Sequence, residues 1–274
     1  MMQNKKIKLL IGNGLVLLIL ALIIGGISYR MNHRQDSWHT LQQRKTVVIG
    51  IDDTYVPMGF RDKKGHLVGY DVELARAAFK RMGLKPKFQT IDWSMNQTEL
   101  ATGHIDVIWN GYTINAERKK KVAFSKPYHS DRLVLLTKKD APIKQAADMI
   151  NKNLAVQSGS SGYDSLNQQP QYLKKYLNRK VIQYDTYDKA INDLQVGRVD
   201  AVLIDRDYAN YYLTHEKLKT PLRTVQTGFP QDEYGVGFRK EDKVLRERVN
   251  RELTELKQNG TEAKLARKYF GTDN

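Results

Sequence analysis

The chain has 274 residues, of which 41% are hydrophobic and 27% charged, so it is long enough to bury a core in one large domain or in two smaller lobes. It contains no cysteine, which excludes disulfide bonds, thiolate nucleophiles, cysteine-based zinc sites and lipid attachment at an N-terminal cysteine. The formal net charge of +15 is compatible with anionic lipid, wall polymer or nucleic acid, and therefore selects no function.

The N-terminal region differs from the rest of the chain. Residues 1–8 are basic, and residues 9–28 form an almost uninterrupted apolar run. About 20 apolar residues span a bilayer as a helix, and a basic start before an apolar run is also typical of a signal peptide. No clear small-x-small cleavage site lies near Ser28, so we favour a retained transmembrane anchor on the outer face of the cytoplasmic membrane; a cleaved signal would give a secreted protein. Residues 29–44 are polar and are predicted to be a tether.

From residue 45 onward, short β-branched runs alternate with amphipathic stretches, which is typical of βαβ units. The first series is TVVIGID (46–52), YDVELARAAFKRMG (70–83), PKFQTI (86–91), WSMNQTELATG (93–103) and IDVIW (105–109). The second is LVLLT (133–137), LAVQ (154–157), KVIQY (180–184), TYDKAINDLQVG (186–197) and VDAVLID (199–205), followed by YGVGF (234–238) and helical stretches at 241–258 and 261–270. We therefore predict an α/β fold with mostly parallel sheets and helices on both faces.

One phrase occurs in both series. LATGHIDVIWN (100–110) and LQVGRVDAVLID (194–205) each read as a helix that ends at a glycine and leads into a buried strand. Any junction between a helix and a strand could look like this, or the chain could contain two similarly built lobes. In the second case the carboxyl ends of the strands would face a shared cleft, where open α/β sheets bind ligands.

Two loops near that cleft suit an anion. In WNGYTINAER (109–118), Gly111 allows close backbone approach, Thr113 offers a hydroxyl, and Arg118 lies in the first turn of a short helix. A base there opposes the helix dipole, so Arg118 requires an anionic partner, which could also be an ordinary surface carboxylate. The loop SGSSGYD (158–164), with Ser160 and Ser161, offers hydroxyls and free N–H groups, although alone it is a weak signal.

Other candidates suit a cation or an apolar group. Asp205 directly follows a buried run and could cap the next helix or accept a cationic ligand group. Asp52 and Tyr55 lie in the loop of IGIDDTYVPMGF (49–60), where a turn residue and loop packing are the simpler interpretations. With Tyr55 and Trp93 as apolar walls, a cleft with Arg118 at one side and Asp205 at the other would complement a zwitterion.

These segments resemble the extracellular solute-binding proteins of amino-acid ABC importers, in particular the polar-amino-acid group. The matching phrases span roughly residues 46–271: YVPMGFRDKKGHLVGYDVELARAAFKRMG, GYTINAER with KKKVAFSKPY, SGSSGYD, LQVGRVDAVLID and NGTEAKLARKYFG. The resemblance implies the two-lobed periplasmic-binding-protein fold of type II, with a cleft between the lobes. Lobe one would contain residues 45–132 plus 229–274, lobe two 137–225, and hinge crossings would lie at 132–136 and 225–234.

The resemblance also implies roles for the site residues. Arg118 would bind the ligand α-carboxylate and Asp205 the α-ammonium group. Further carboxylate contacts would come from Thr113, Gly111, Ser160 and Ser161, and the ligand side chain would be lined by Asp52, Tyr55, Trp93 and Asn110. Two positions depart from the family pattern: Met58 stands where an aromatic residue is frequent, and Asn110 where a small residue is common. The expected ligand is a polar or basic L-amino acid, with glutamine or an arginine-type ligand ahead of cystine.

The implied activity is capture of a free amino acid by lobe closure and delivery to a membrane ABC permease, by a monomer without cofactor, metal or nucleic acid. Two alternatives remain open on the same fold, an amino-acid-sensing module and a cleft enzyme such as a dehydratase. The histidines show no metal-ligand spacing, and no Ser-His-acid phrase appears. The basic residues are dispersed, unlike the stripe with exposed aromatic residues that nucleic-acid binding requires.

Overall fold

The computed structural model describes residues 36–271, together with Ile19. The predicted basic start, nearly all of the predicted anchor at 9–28 and the first part of the tether lie outside the described residues. Within the described part of the chain, no helix combines the length and apolarity needed to cross a bilayer.

The last part of the predicted tether is a helix, which corrects the sequence analysis. Trp38–Arg44 is helical, and Trp38 and Leu41 are buried on one face, three residues apart. The Arg248 guanidinium lies 4.1 Å above the centre of the Trp38 ring. With only two apolar side chains in seven residues, the segment shows no periodicity, and its helix forms because those two pack onto the core.

The elements alternate along the chain. Those before the first passage between sheets are α1 (Trp38–Arg44), β1 (Thr46–Ile51), β2 (Thr54–Tyr55), β3 (Gly59–Arg61), β4 (Leu67–Val68), α2 (Tyr70–Arg81), β5 (Lys85–Thr90), a 3₁₀ turn at Trp93–Met95, α3 (Asn96–Thr102), β6 (Val107–Ile108), α4 (Ala116–Lys121), β7 (Ala123–Phe124) and β8 (His129–Asp131). The middle section has β9 (Leu133–Lys138), a 3₁₀ turn at Ala146–Met149, β10 (Leu154–Gln157), α5 (Ser161–Gln168), a 3₁₀ turn at Lys174–Tyr176, β11 (Ile182–Tyr184), α6 (Tyr187–Val196), β12 (Ala201–Asp205), α7 (Arg206–His215) and β13 (Leu222–Gln226). The chain ends with β14 (Asp232–Tyr234), β15 (Gly237–Phe238), α8 (Lys243–Gln258) and α9 (Thr261–Phe270).

Two five-stranded sheets share one pattern. The strand orders are β5-β1-β6-β15-β7 and β11-β10-β12-β9-β13, and in each sheet the fourth strand is antiparallel to both of its neighbours. Four of the five strands in each sheet therefore run in one direction, as predicted, and one strand runs against them. The chain forms β9 and β15 just after it has passed from one sheet to the other. Each of these two strands therefore enters its sheet from the end opposite to that of the other four strands, and runs in the reverse direction. The repeated sequence phrase leads into β6 and β12, which occupy the same third place in their sheets.

The two passages between the sheets form a small sheet of their own, in which β8 pairs antiparallel with β14. We call residues 38–128 and 235–271 lobe one, residues 132–231 lobe two, and β8 with β14 the crossing strands. The predicted first crossing at 132–136 is wrong, because Leu133–Lys138 is a buried strand of the second sheet. The predicted second crossing at 225–234 begins too early, since β13 extends to Gln226. Both predicted crossings have wrong bounds because an apolar run in the sequence does not show where one strand ends and the next begins.

A glycine fixes how the first loop joins α2. Gly69 precedes this helix with φ of 137°, and the first helical N–H groups, of Tyr70 and Asp71, donate to the carbonyls of Pro57 and Met58. A Cβ atom on Gly69 would lie 2.3 Å from the Met58 carbonyl oxygen. The close approach satisfies helix donors that would otherwise be unpaired.

We predict that Gly69→Ala destabilises lobe one, because it adds both a disfavoured φ and a backbone clash. The free energy of unfolding should fall by about 2–4 kcal/mol in denaturant titration. Gly65→Ala is the matched control, since Gly65 also has positive φ but open space around its Cβ position, and its cost should be about 1 kcal/mol. Equal effects of the two substitutions would contradict the role of the close approach.

Candidate ligand-binding cleft

The carboxyl ends of the central strands from both sheets meet in one buried region. Asp52 follows β1, Asn110 lies just beyond β6, Gln157 ends β10 and Asp205 ends β12. All four side chains are buried, at 7%, 1%, 1% and 4% exposure. The structure thus brings together Asp52, Asn110 and Asp205, which were expected at a shared cleft, and adds Gln157 to them.

Arg118 reaches across this cleft from lobe one. Asn115 caps α4 by accepting from the Arg118 N–H at 2.8 Å, which turns the Arg118 side chain inward, while the following three lysines stay exposed. The guanidinium is 2% exposed and lies 4.5 Å from the centre of the Tyr112 ring. It donates to the carbonyl oxygen of Thr113 at 3.1 Å and, in lobe two, to that of Gly159 at 3.0 Å.

A partly exposed carboxylate is the nearest anion to Arg118. Arg118 Nε lies 3.5 Å from Asp164, whose side chain is 31% exposed. This contact is long, and the two main-chain bonds use only two of the five guanidinium N–H groups. The guanidinium therefore retains donors for a further acceptor. A surface ion pair is the alternative that the sequence leaves open for Arg118, and the burial of Arg118 shows that its side chain is not a surface group.

The serine loop of lobe two lies beside Arg118. Ser160 caps α5 by accepting from the Tyr163 N–H at 3.3 Å, and both Ser160 and Ser161 are buried. Gly159 sits so close to lobe one that a Cβ atom there would lie 2.7 Å from the Cα of Ser94. Next to Ser94, Trp93 is buried and packs edge-on against Tyr112, with ring centres 5.8 Å apart. The two lobes are therefore closed together at this end of the cleft.

Asp205 presents its carboxylate to the cleft and makes no side-chain hydrogen bond to α7. Of the two interpretations of the sequence, the helix cap is not formed by the side chain, and the role of a cleft acceptor stays a prediction. Its Oδ1 accepts from the Tyr234 hydroxyl at 2.8 Å, and that hydroxyl lies 3.4 Å from the hydroxyl of Tyr55. Burial raises the pKa of Asp205, while the tyrosine hydrogen bonds and, to a smaller extent, the Arg118 charge lower it.

Asp52 serves both as a turn residue and as a contact between lobes. Its Oδ1 accepts from the main-chain N–H and hydroxyl of Thr54, as a turn residue would. Its Oδ2 accepts from the Gln157 side chain of lobe two at 2.7 Å. The Asp52 N–H donates to Asn110 Oδ1 at 2.8 Å, which explains a polar residue at position 110. Burial raises the pKa of Asp52, and the Thr54 and Gln157 hydrogen bonds oppose that rise.

Tyr55 forms an aromatic wall between the lobes. Its ring centre lies 6.1 Å from that of Tyr187 and 5.6 Å from that of Tyr208, both in lobe two. The sequence predicts Tyr55 at this site but gives no indication of Tyr187, Tyr112, Tyr234 or Gln157. Gln157 ends a predicted strand and could have been found by the rule that selected Asp205. The tyrosines carried no distinguishing signal among the 15 in the chain.

A buried carboxylate fixes the loop that carries Gly111. Asp71 is fully buried in α2, and its Oδ2 accepts from the Gly111 N–H at 2.6 Å and from the Tyr128 hydroxyl at 2.9 Å. Burial raises its pKa to about 6, although these bonds and the nearby His129 lower it. Asp71 is a positioning residue that the sequence analysis missed, because it reads as an ordinary acid in the first turn of a helix.

Among residues 36–271, no three His, Asp or Glu side chains are grouped as a metal site requires.

Residues 47–272 match the family model of bacterial extracellular solute-binding proteins, family 3. The chain belongs to this family. The family resemblance and the two-lobed type II fold predicted from the sequence are thereby confirmed, and the chain has the substrate-binding role of that family.

Relatives of similar length are named as amino-acid-binding proteins. The L-cystine-binding protein TcyJ of Escherichia coli is 32% identical over 92% of both chains, and the L-cystine-binding protein TcyA of Bacillus subtilis is 33% identical over 87% of this chain and 86% of its own. A solved substrate-binding protein of an ABC uptake transporter from Streptococcus pneumoniae, with bound histidine, is 41% identical, covers 87% of this chain and 97% of its own, and superposes with a TM-score of 0.84.

We predict that Gly159→Ala impedes closure, because the added methyl group would press on the Ser94 backbone. The affinity for the bound solute should fall roughly 10-fold or more, since overpacking costs about 1–3 kcal/mol. Calorimetric titration measures the affinity, and small-angle scattering with saturating solute should show a larger radius of gyration than wild type. Gly162→Ala in the same segment is the control, because its Cβ would meet only ordinary contacts at 3.4 Å or more. Unchanged affinity in Gly159→Ala would contradict this packing.

Asp71 should make stability depend on pH. The folded state holds the Asp71 proton up to about pH 6, whereas the unfolded chain releases it near the ordinary value of 3.8. The folded state therefore binds more protons in this window, so the Asp71 contribution to stability rises as pH falls from 6 towards 4. Comparing Asp71→Asn with wild type by denaturant titration across this window should reveal a slope difference of at most about 1.4 kcal/mol per pH unit. Identical slopes would show that Asp71 keeps its ordinary titration.

Proposed function

We propose that the chain captures a free polar or basic L-amino acid, of the glutamine or arginine type, by closing its two lobes, and delivers it to a membrane ABC permease. One observation carries the proposal: Arg118 of lobe one and Asp205 of lobe two are both buried in the same cleft. They are close enough for the Arg118 charge to lower the pKa of Asp205. A zwitterion is the ligand class that compensates both charges.

The carboxylate side of the cleft would consist of Arg118, Thr113, the Gly111 backbone, Ser160 and Ser161. A guanidinium pairs with a carboxylate through two parallel hydrogen bonds, which an ammonium cannot reproduce. The start of α5 adds N–H donors and the positive end of a helix dipole. The Arg118 bond to the Gly159 carbonyl supports this arrangement, because it brings the guanidinium next to the serine loop.

The opposite side would receive the α-ammonium group on Asp205. The Tyr234 hydroxyl holds that carboxylate in place from the second crossing strand. Asp52, Tyr55, Trp93 and Asn110 would line the ligand side chain. The ligands for which its relatives are named support a polar or basic class. They include lysine, arginine and ornithine for an E. coli protein that is 31% identical, as well as cystine and histidine.

Capture would proceed through a shift between open and closed lobes. A ligand that contacts both lobes stabilises the closed state by its differential affinity. We propose that the closed monomer then docks on its permease, while residues 9–28 anchor it to the outer face of the cytoplasmic membrane. No nucleic acid, metal or cofactor takes part in this scheme.

Titration calorimetry of the full chain against the twenty L-amino acids and L-cystine tests the proposal. One or a few polar or basic amino acids should bind, and the ligand recovered afterwards should be chemically unchanged. Arg118→Lys and Asp205→Asn should each weaken binding by about 2 kcal/mol or more, roughly 30-fold in Kd, because each breaks a buried charge pair. Lys119→Ala, at the exposed neighbouring position, is the control and should bind like wild type. No response to any amino acid would refute the proposal.

A further inference from the structure

A cavity separate from the candidate ligand-binding cleft lies next to the crossing strands. Its volume is about 400 Å³. One wall consists of His129 and Ser130 of β8 and Glu233 of β14, and the other includes Leu253 of α8 and Glu262 of α9. The cavity therefore lies between the crossing strands and two helices of lobe one, and we call it the crossing-strand cavity.

Glu262 brings a buried carboxylate to this cavity. The residue lies in the first turn of α9 and is 7% exposed. Within residues 36–271, no group donates a hydrogen bond to its carboxylate, and no basic side chain forms an ion pair with it. Burial raises the pKa of Glu262, while the charges of Lys257 and His129 lower it without direct contact. Both oxygens of the carboxylate are therefore free to accept hydrogen bonds.

The helix that carries Glu262 does not supply the missing partner. A negative charge in the first turn of a helix gains a little from the helix dipole. Burial of a carboxylate without a hydrogen-bond donor or a cation costs considerably more than that gain. A donor that enters the cavity from solvent would offset this cost.

The rest of the lining indicates which kind of donor fits. Leu253 and Pro127 offer apolar contacts, whereas Lys126 and Lys257 are exposed, so that water solvates their charges. An anionic group beside the Glu262 carboxylate would be repelled, and the described part of the chain groups no metal ligands here. A primary ammonium group has three N–H donors and a positive charge. A short aliphatic chain that ends in such a group matches both the carboxylate and the apolar wall.

We propose that the crossing-strand cavity is a second ligand site, which binds a small aliphatic amine with its ammonium group on Glu262. The amine contacts both crossing strands as well as α8 and α9. His129, in the same wall, is hydrogen-bonded through Nε2 to Asp207 of lobe two at 2.8 Å. The site thus adjoins the segments that connect the two lobes. The inference is independent of the proposed function, because it uses no residue of the cleft.

The probes 5-amino-1-pentanol and 1,5-pentanediol test this site, because they have nearly the same size and shape and only the first is charged at neutral pH. For the full wild-type chain, calorimetric titration should give a Kd about 10-fold lower for the amine, since a hydrogen bond to a charged partner is the stronger one. In Glu262→Gln, this preference should disappear. The variant should unfold at a temperature no lower than wild type, because it removes a buried charge without a partner.

Glu247→Gln is the matched control. Glu247 lies on α8 and its side chain is 62% exposed, so the substitution changes the net charge equally but leaves the cavity intact. Its ratio of the two Kd values should match wild type. Thr254→Trp tests the cavity itself, because Thr254 is an exposed residue of the lining and an indole ring there would occupy the space. Binding of both probes should weaken by about 10-fold or more.

Asp205→Asn distinguishes the cavity from the cleft, where an ammonium group could also bind. Amine binding should be unchanged in this variant. If it is lost, the amine binds in the cleft and the inference is wrong, although the proposed function stands. The inference is also wrong if the wild-type chain binds neither probe, if its two Kd values agree within about 3-fold, or if Glu262→Gln keeps the preference. Failure of every amino acid to bind would refute the proposed function and leave this result unaffected.

Discussion

The burial of unlike charges from two lobes in one cleft is the constraint on which the structure depends. Arg118 is turned inward by its helix cap and contacts the lobe-two backbone at Gly159, while Asp205 projects from the end of a lobe-two strand. Isolated buried charges are strongly unfavourable, so each needs a partner within the closed cleft. The lobes can approach only because the loop between β10 and α5 carries a glycine where it meets Ser94. In the proposed function, a zwitterionic ligand would supply both charges.

The crossing strands contribute residues to this cleft. Tyr234 of β14 bonds to Asp205 and forms a bridge with Thr113, so a residue of the second crossing touches both sides of the site. Asp131 of β8 accepts from the N–H of Asp207 at the start of α7, which ties the first crossing to lobe two. Burial, together with the charges of Asp207 and Asp205, raises the pKa of Asp131 well above its ordinary value. The cleft and the crossing strands are therefore joined by direct contacts of a few residues.

Several parts of the fold and site could be predicted from local patterns. Strand ends followed by polar residues located Asp52 and Asp205, and a base in the first turn of a short helix located Arg118. Helix-ending glycines before β6 and β12 indicated two similar lobes, and these strands indeed occupy equivalent places. The errors arose where local pattern carries no information. The first crossing was placed inside β9 because consecutive apolar residues do not show to which sheet a strand belongs. The reversed strand in each sheet could not be predicted either, because its direction depends on the path of the chain between the lobes.

The amino-acid sequence by itself determined the α/β class, the family and the residues that carry charge into the cleft, because each depends on short-range spacing or on phrases shared along the chain. Only the tertiary structure decided which partners those residues meet. Gln157 and Asp52 are separated by 105 positions and Tyr234 and Asp205 by 29, yet both pairs are in hydrogen-bond contact. Such contacts arise from the way two sheets and their crossing strands close on each other, and a buried hydrogen bond between distant residues leaves no periodic trace in the sequence.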